Sequence, residues 1–177
     1  MKMNLWIAMT VLIALPVAVV LAGQMGLLSG TAPTDLGVSN ERLKPPSLTR
    51  NSVSSQAALH PEHPQLAYAA IEPLRLFGFA PQQSVAVLSR VLAAEPGVSI
   101  EAQTEGYILA TARTPWLGFV DDLEFWLNPT LGVIEVRSAS RLGREDFGTN
   151  RQRIERIRSA YNTATAKPID ATDPVGQ

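Results

Sequence analysis

Hydrophobic positions along the chain fall into three patterns, and each predicts a different kind of element. The first is continuous: Leu5 to Ala22 form an 18-residue apolar run in which Thr10 is the only polar side chain. No charged residue lies between Lys2 and Asp35. As a helix the run would rise about 27 Å, close to the thickness of a bilayer core. Pro16 does not oppose a spanning helix, because membrane helices tolerate proline. Residues 1–22 are therefore read as an uncleaved membrane anchor, with a secretory signal cleaved near Ala22 as the alternative. The length of the run and its thin basic end, Lys2, favour the anchor. Both readings keep the positive end cytoplasmic and export the remainder. The expected location is an inner membrane with the C-terminal domain in the periplasm, or release into the periplasm after cleavage. The segment Leu21-Ala22-Gly23-Gln24 is similar to a lipoprotein site, but Gln24 replaces the cysteine that diacylglyceryl attachment requires.

The second pattern has helical spacing. Pro81 suits a first helical turn, Val85, Leu88, Val91 and Leu92 form one stripe, and Pro96-Gly97 ends the element. Ile154, Ile157 and Tyr161 make a second stripe behind Asn150, a candidate cap. The third pattern is alternation, over Val98–Gln103, Tyr107–Arg113, Phe119–Leu127 and Val133–Ser138. Short connections between these strands favour antiparallel neighbours. The expected fold is α+β, an antiparallel four-stranded sheet with flanking helices, over residues 65–162. Residues 23–64, rich in Gly, Pro, Ser and Thr, read as a linker and irregular lead-in that ends by packing on the domain. Residues 163–177 read as a loose tail.

Period-two alternation also sorts the side chains of the third strand. Asp121, Leu123, Phe125 and Leu127 share one face; Asp122, Glu124 and Trp126 share the other. In the fourth strand Ile134 and Val136 join the first group, and Glu135 and Arg137 the second. Asp121 then stands among apolar neighbours and, if buried, needs an arginine partner or several hydrogen-bond donors. Arg113 and Arg153 are assigned with it to a structural charge network. Asp122, Glu124, Arg137, Arg141 and Arg144 form a polar array that can contact a ligand. Adjacent carboxylates on a strand point to opposite faces, so structural pairing leads ligand recognition and catalysis as the role of Asp121 and Asp122.

Composition narrows the chemistry. Fifteen basic and 16 acidic residues give a formal net charge of -1, which argues against a nucleic-acid partner. The near-neutral total hides a local basic stretch over residues 137–158 that follows an acidic one, and mutual matching of the two accounts for much of it. The absence of cysteine excludes disulfides, thiolate metal sites, c-type haem attachment and cysteine nucleophiles. His60 and His63 flank Pro61-Glu62, which is not the spacing of a helical zinc site, so no metal is assigned. Ser52, Ser54 and Ser55 carry no nucleophile-elbow motif, and neither a dinucleotide nor a Walker loop is present. No cofactor is expected. The membrane is the expected partner of residues 5–22, and an anionic lipid, a small molecule or an envelope protein that of the array.

Several blocks occur in an order that resembles the DUF1499 family, uncharacterised proteins of bacteria and photosynthetic organisms. They are Thr34–Val38, Asn51–Ser55, Gly118–Phe125 and Val136–Arg141, followed by Gly143–Asp146 and Asn150–Ile154. The resemblance spans roughly Thr34 to Tyr161 and implies an exported or membrane-associated domain without assigning a reaction. Relatives resemble a proline-rich segment with two cysteines, at positions that Pro46 and Ser52 occupy here. If that pair forms a disulfide, both halves are missing together, and the loop must be held by packing and hydrogen bonds or be more mobile. The leading expectation is a membrane-tethered extracytoplasmic binding or envelope-support domain. The alternative is a small hydrolase acting on an envelope component, with Asp121 or Asp122 as acid or base.

Overall fold

A computed structural model describes residues 2–77 and 81–166. The apolar run forms α1 (Lys2–Gln24), with Pro16 inside it. Among the described residues, Trp6–Gln24 is the one helix long and apolar enough to cross a membrane, and almost none of it is buried in the protein. An irregular lead-in follows, then β1 (Ser52–Ser54), a 3-10 turn at Ala57–Leu59, α2 (Leu66–Ala69) and β2 (Leu74–Arg75). The remainder runs α3 (Pro81–Ala94), β3 (Val98–Gln103), β4 (Tyr107–Arg113), β5 (Val120–Asn128), β6 (Val133–Ser140) and α4 (Thr149–Ala166). The loose tail expected from Thr163 thus starts as helix, and its part beyond Ala166 lies outside the described residues.

The strands build one antiparallel sheet in the order β1-β6-β5-β4-β3, with β2 also on β6. The four-stranded sheet expected from alternation is therefore corrected to six strands. The two additional strands share the outer edge of β6: Ser52–Ser54 face Ala139–Arg137, and Leu74 faces Ile134. Strands of three and two residues are too short to display a period, so their pairing is decided by the edge they meet.

Helices α3 and α4 pack together on one face of the sheet. Leu88, Leu92, Ile154, Ile157 and Tyr161 from the helices meet Ile108, Leu123, Phe125, Ile134 and Val136 from the strands. Val53 and Leu74 bring the short strands into the same core. The opposite face carries Asp122, Glu124, Glu135 and Arg137, all buried. Part of that cover comes from the lead-in, where Leu43 and Pro46 are buried and the Gly37 amide bonds Glu124.

Register assigns the loops to two ends. Asp121 pairs with Ser140 and Ala112 with both Asp121 and Val98. The β4–β5 loop, the β6–α4 loop and the approach to β1 consequently gather at one end of the sheet. The β5–β6 turn and the 3-10 turn after β1 lie at the other.

Candidate functional site

Opposite charges meet across neighbouring strands wherever register allows. Glu124 and Arg137 are directly paired on β5 and β6, and Arg137 Nη1 donates to Glu124 Oε2 at 3.0 Å. Glu124 is fully buried, so all its acceptor capacity must be met within the protein. The Tyr107 hydroxyl and the Gly37 amide supply donors to Oε1, each at 2.8 Å. Burial, then the charge of Glu124, pushes the Tyr107 phenol well above its ordinary range. Arg137 Nε has no hydrogen-bond partner, the one such buried side-chain atom among the described residues.

One pleat away, Asp122 accepts a two-pronged contact from Arg141, with Nη2 to Oδ1 at 2.7 Å and Nε to Oδ2 at 3.1 Å. That bond raises the pKa of Arg141 above its ordinary value, although burial opposes it. Arg144 is exposed and makes no ion pair among the described residues. Four of the five array residues are thus matched internally, and Arg141 and Arg144 form its open end.

On the apolar face Asp121 receives Arg153 Nη2 from α4 at 2.6 Å. Arg113 does not join them: it is exposed at the end of β4, with Nη1 directed at the Gly118 carbonyl. Asn150 extends the Asp121–Arg153 contact into a wider network. Its Oδ1 accepts from Ser138 and Arg153, while Nδ2 donates to the Asn51 carbonyl, Ser140 Oγ and Asp146 Oδ2. The start of α4 is capped instead by Asp146, whose carboxylate accepts the Gly148 and Asn150 amides. Burial opposes ionisation of Asp146, but bonds from Tyr68, Asn150 and those amides outweigh it and hold its pKa below the usual range. Tyr68, desolvated and bonded to Asp146, is pushed up to about 12.

Alternation alone did not single out a second polar group. Glu135 is buried and accepts the Ser55 hydroxyl at 2.5 Å and Asn128 Nδ2 at 3.3 Å. It has no ion-pair partner among the described residues and lines a cavity of about 370 Å³ with Asn40, Arg42, Ser55 and Asn128. The sequence signal was a lone carboxylate on β6; only the return of residues 40–56 over the sheet forms a pocket around it. Ser55 Oγ also accepts the Val136 amide at 2.8 Å, a bond that continues the pairing beyond β1.

His63 bonds the Pro46 carbonyl and accepts the Gln65 amide, and among the described residues no group of three potential ligands could hold a metal. Ser52 Oγ accepts the Ser47 amide at 2.7 Å, so a hydrogen bond closes the segment between Pro46 and Ser52.

The end of α1 meets the β4–β5 loop. Gln24 Nε2 donates to the Pro115 and Trp116 carbonyls, each at 2.9 Å. A Cβ on Gly23 would lie 2.3 Å from the Leu117 oxygen, and one on Gly118 2.4 Å from the Gly23 oxygen. Glycine at both positions is what allows this approach.

Comparison with known families gives one match, over residues 34–161, to a model described as a protein of unknown function, DUF1499. No curated protein and no solved structure matches the chain significantly.

Proposed function

The chain belongs to the DUF1499 family, and on that premise we propose that it acts as a membrane-tethered extracytoplasmic binding or envelope-support domain. The observation that carries the tether is the helix Trp6–Gln24, long and apolar enough to cross a membrane. The commitment of the carboxylates to arginines weighs against the hydrolase alternative. Asp121, Asp122 and Glu124 are held by Arg153, Arg141 and Arg137 at 2.6 to 3.0 Å. A general acid or base needs a proton it can exchange with substrate, and a carboxylate locked to a guanidinium is poorly placed for that work. Buried pairs of this kind instead fix which strands lie together, a role consistent with support.

The anchor is supported by α1 and by the burial of Gly23. Cleavage after Ala22 would place a new ammonium group at that packed position, a costly exchange. Sequencing the mature amino terminus tests this directly: a protein beginning at Gly23 would overturn the uncleaved anchor.

Recognition is assigned to the open end of the array, where Arg141 and Arg144 can grip an anionic headgroup or small molecule. The Asp122–Arg141 contact and the buried Glu124–Arg137 pair hold that end in place. Native mass spectrometry of the full chain from nanodiscs tests the assignment. Arg141→Ala and Arg144→Ala should each reduce retention of anionic lipid or metabolite. Arg144→Ala leaves the ion pairs intact, whereas Arg141→Ala also strands the buried Asp122 carboxylate and lowers stability. Unchanged retention in both variants would sink the arginine contribution. An envelope-directed hydrolase activity lost on Asp122→Asn would favour the alternative.

A further inference from the structure

We propose that the end of the sheet bearing the β4–β5 and β6–α4 loops lies in the headgroup layer of the membrane that α1 enters, with Trp116 as its interfacial anchor. The inference rests on the reading of α1 as a membrane helix. It adds that the domain has a membrane-facing end and an opposite, pocket-bearing end.

Depth is the first argument. The apolar stretch Trp6–Gln24 is about 28 Å long as a helix, close to the hydrocarbon thickness, so Gln24 falls at the boundary with the headgroups. Gln24 bonds the backbone of Pro115 and Trp116 directly. The Trp116 backbone therefore sits within about one helical turn of that boundary, where tryptophan is the favoured side chain. Its side chain is not part of the core: Trp116 is 74% exposed.

The distribution of exposed apolar groups is the second. Outside α1, nine large apolar side chains are exposed among the described residues. Six of them, Met25, Leu27, Leu48, Trp116, Leu142 and Phe147, lie on segments that lead from α1 or converge at this end of the sheet. Gly30 ties the segment leaving α1 to the β6–α4 loop, since a Cβ there would lie 2.7 Å from Arg141 Cβ and 2.9 Å from Leu142 Cγ. Phe147 is 86% exposed and holds a left-handed φ of 52°. A large exposed aromatic on the same loop as Leu142 adds to the apolar surface at this end.

Charge is the third. Arg113 and Arg144 border the same end without an ion-pair partner among the described residues, and Arg50 lies there paired with Glu145 at 3.4 Å. Arginines flanking exposed apolar side chains match the phosphates and upper acyl chains of a bilayer surface. A soluble partner would have to compete with the membrane for an end already held against it by Gln24.

The three tryptophans occupy three levels, which gives a direct test. Trp6 lies in α1, Trp116 at the proposed interface, and half-buried Trp126 near the far end of β5. Full-length variants retaining one tryptophan each, the others replaced by Phe, are placed in nanodiscs of phosphatidylcholine brominated near the top of its acyl chains. Quenching of Trp6 and Trp116, with Trp126 spared and Trp116 emission shifted to the blue, is the expected result. Quenching of Trp6 alone would overturn the docked end and leave the anchor standing. Loss of quenching at both Trp6 and Trp116 would overturn the anchor reading itself. Equal quenching of Trp116 and Trp126 would overturn the assignment of a single membrane-facing end.

Discussion

At the scale of single residues, the most exposed consequence of this structure is the cost of leaving Glu124 without Arg137. Removing one member of a buried ion pair destabilises by about 3–5 kcal/mol, whereas replacing both can be nearly neutral. Arg137→Met should therefore lower stability in urea by that amount. Adding Glu124→Gln should recover most of it, because the Gln Oε1 can still accept from Tyr107 and Gly37. Asn150 predicts a separate loss. It is fully buried and joins β6, α4 and the residue before β1 through five hydrogen bonds. Asn150→Ala strands several of those partners, each worth about 1–3 kcal/mol when left unsatisfied. Denaturation should show a drop larger than that of an exposed α4 substitution such as Gln152→Ala.

The Tyr68–Asp146 contact adds a pH signature. The Tyr68 pKa is raised from 10.0 to about 12, so the folded state holds its proton more tightly than the unfolded chain does. Its contribution is complete below pH 10 and is lost as pH rises through about 12. Asp146 runs the other way: its pKa is lowered from 3.8, so its contribution is present above that value and is lost as pH falls through the depressed folded value. Tyr68→Phe should flatten the alkaline decline in the urea midpoint, and Asp146→Asn the acid one. Tyr107 is also raised, so some alkaline slope should remain in Tyr68→Phe.

At the scale of elements, the helices and long strands were legible because their periods are sustained. The strands expected at Val98–Gln103 and Tyr107–Arg113 have those bounds in the structure, and β5 and β6 differ by one or two residues at their ends. Alternation also separated Asp121 from Asp122 correctly, because β5 carries no bulge and the parity of its side chains persists throughout. β1 and β2 were not legible: Ser-Val-Ser and Leu-Arg acquire strand geometry only against β6. The junction of α1 with the β4–β5 loop was equally invisible, since it joins residues 91 and 92 positions apart. It depends on two glycines in contact. Gly23→Ala should push α1 away from Leu117 and raise amide exchange over residues 114–118, with the β5–β6 ladder unchanged. Protection of the loop at the wild-type level would count against the junction.

At the scale of the molecule, the charges form layers that a near-neutral total conceals. The acidic strands and the later arginines face each other within the fold, so much of the local imbalance is resolved by internal pairs. The excess left at the α1 end is positive. An anionic bilayer should then hold that end more strongly than a neutral one, and added salt should weaken the difference. Brominated nanodiscs with and without anionic lipid should show this as a salt-sensitive gain in Trp116 quenching. A gain unaffected by salt would argue against the arginines as its source.

The sequence by itself determined what depends on neighbours along the chain: an apolar helix, two amphipathic helices, four alternating strands, the absence of thiol chemistry and the family. Each follows from side-chain identity and a local period. Tertiary structure alone decided which carboxylate meets which arginine, that β6 carries two extra strands, and that Glu135 lines a cavity. It also placed Trp116 beside the end of α1. Such contacts join residues far apart in sequence, where partner choice is set by register, burial and the need to satisfy every buried charge.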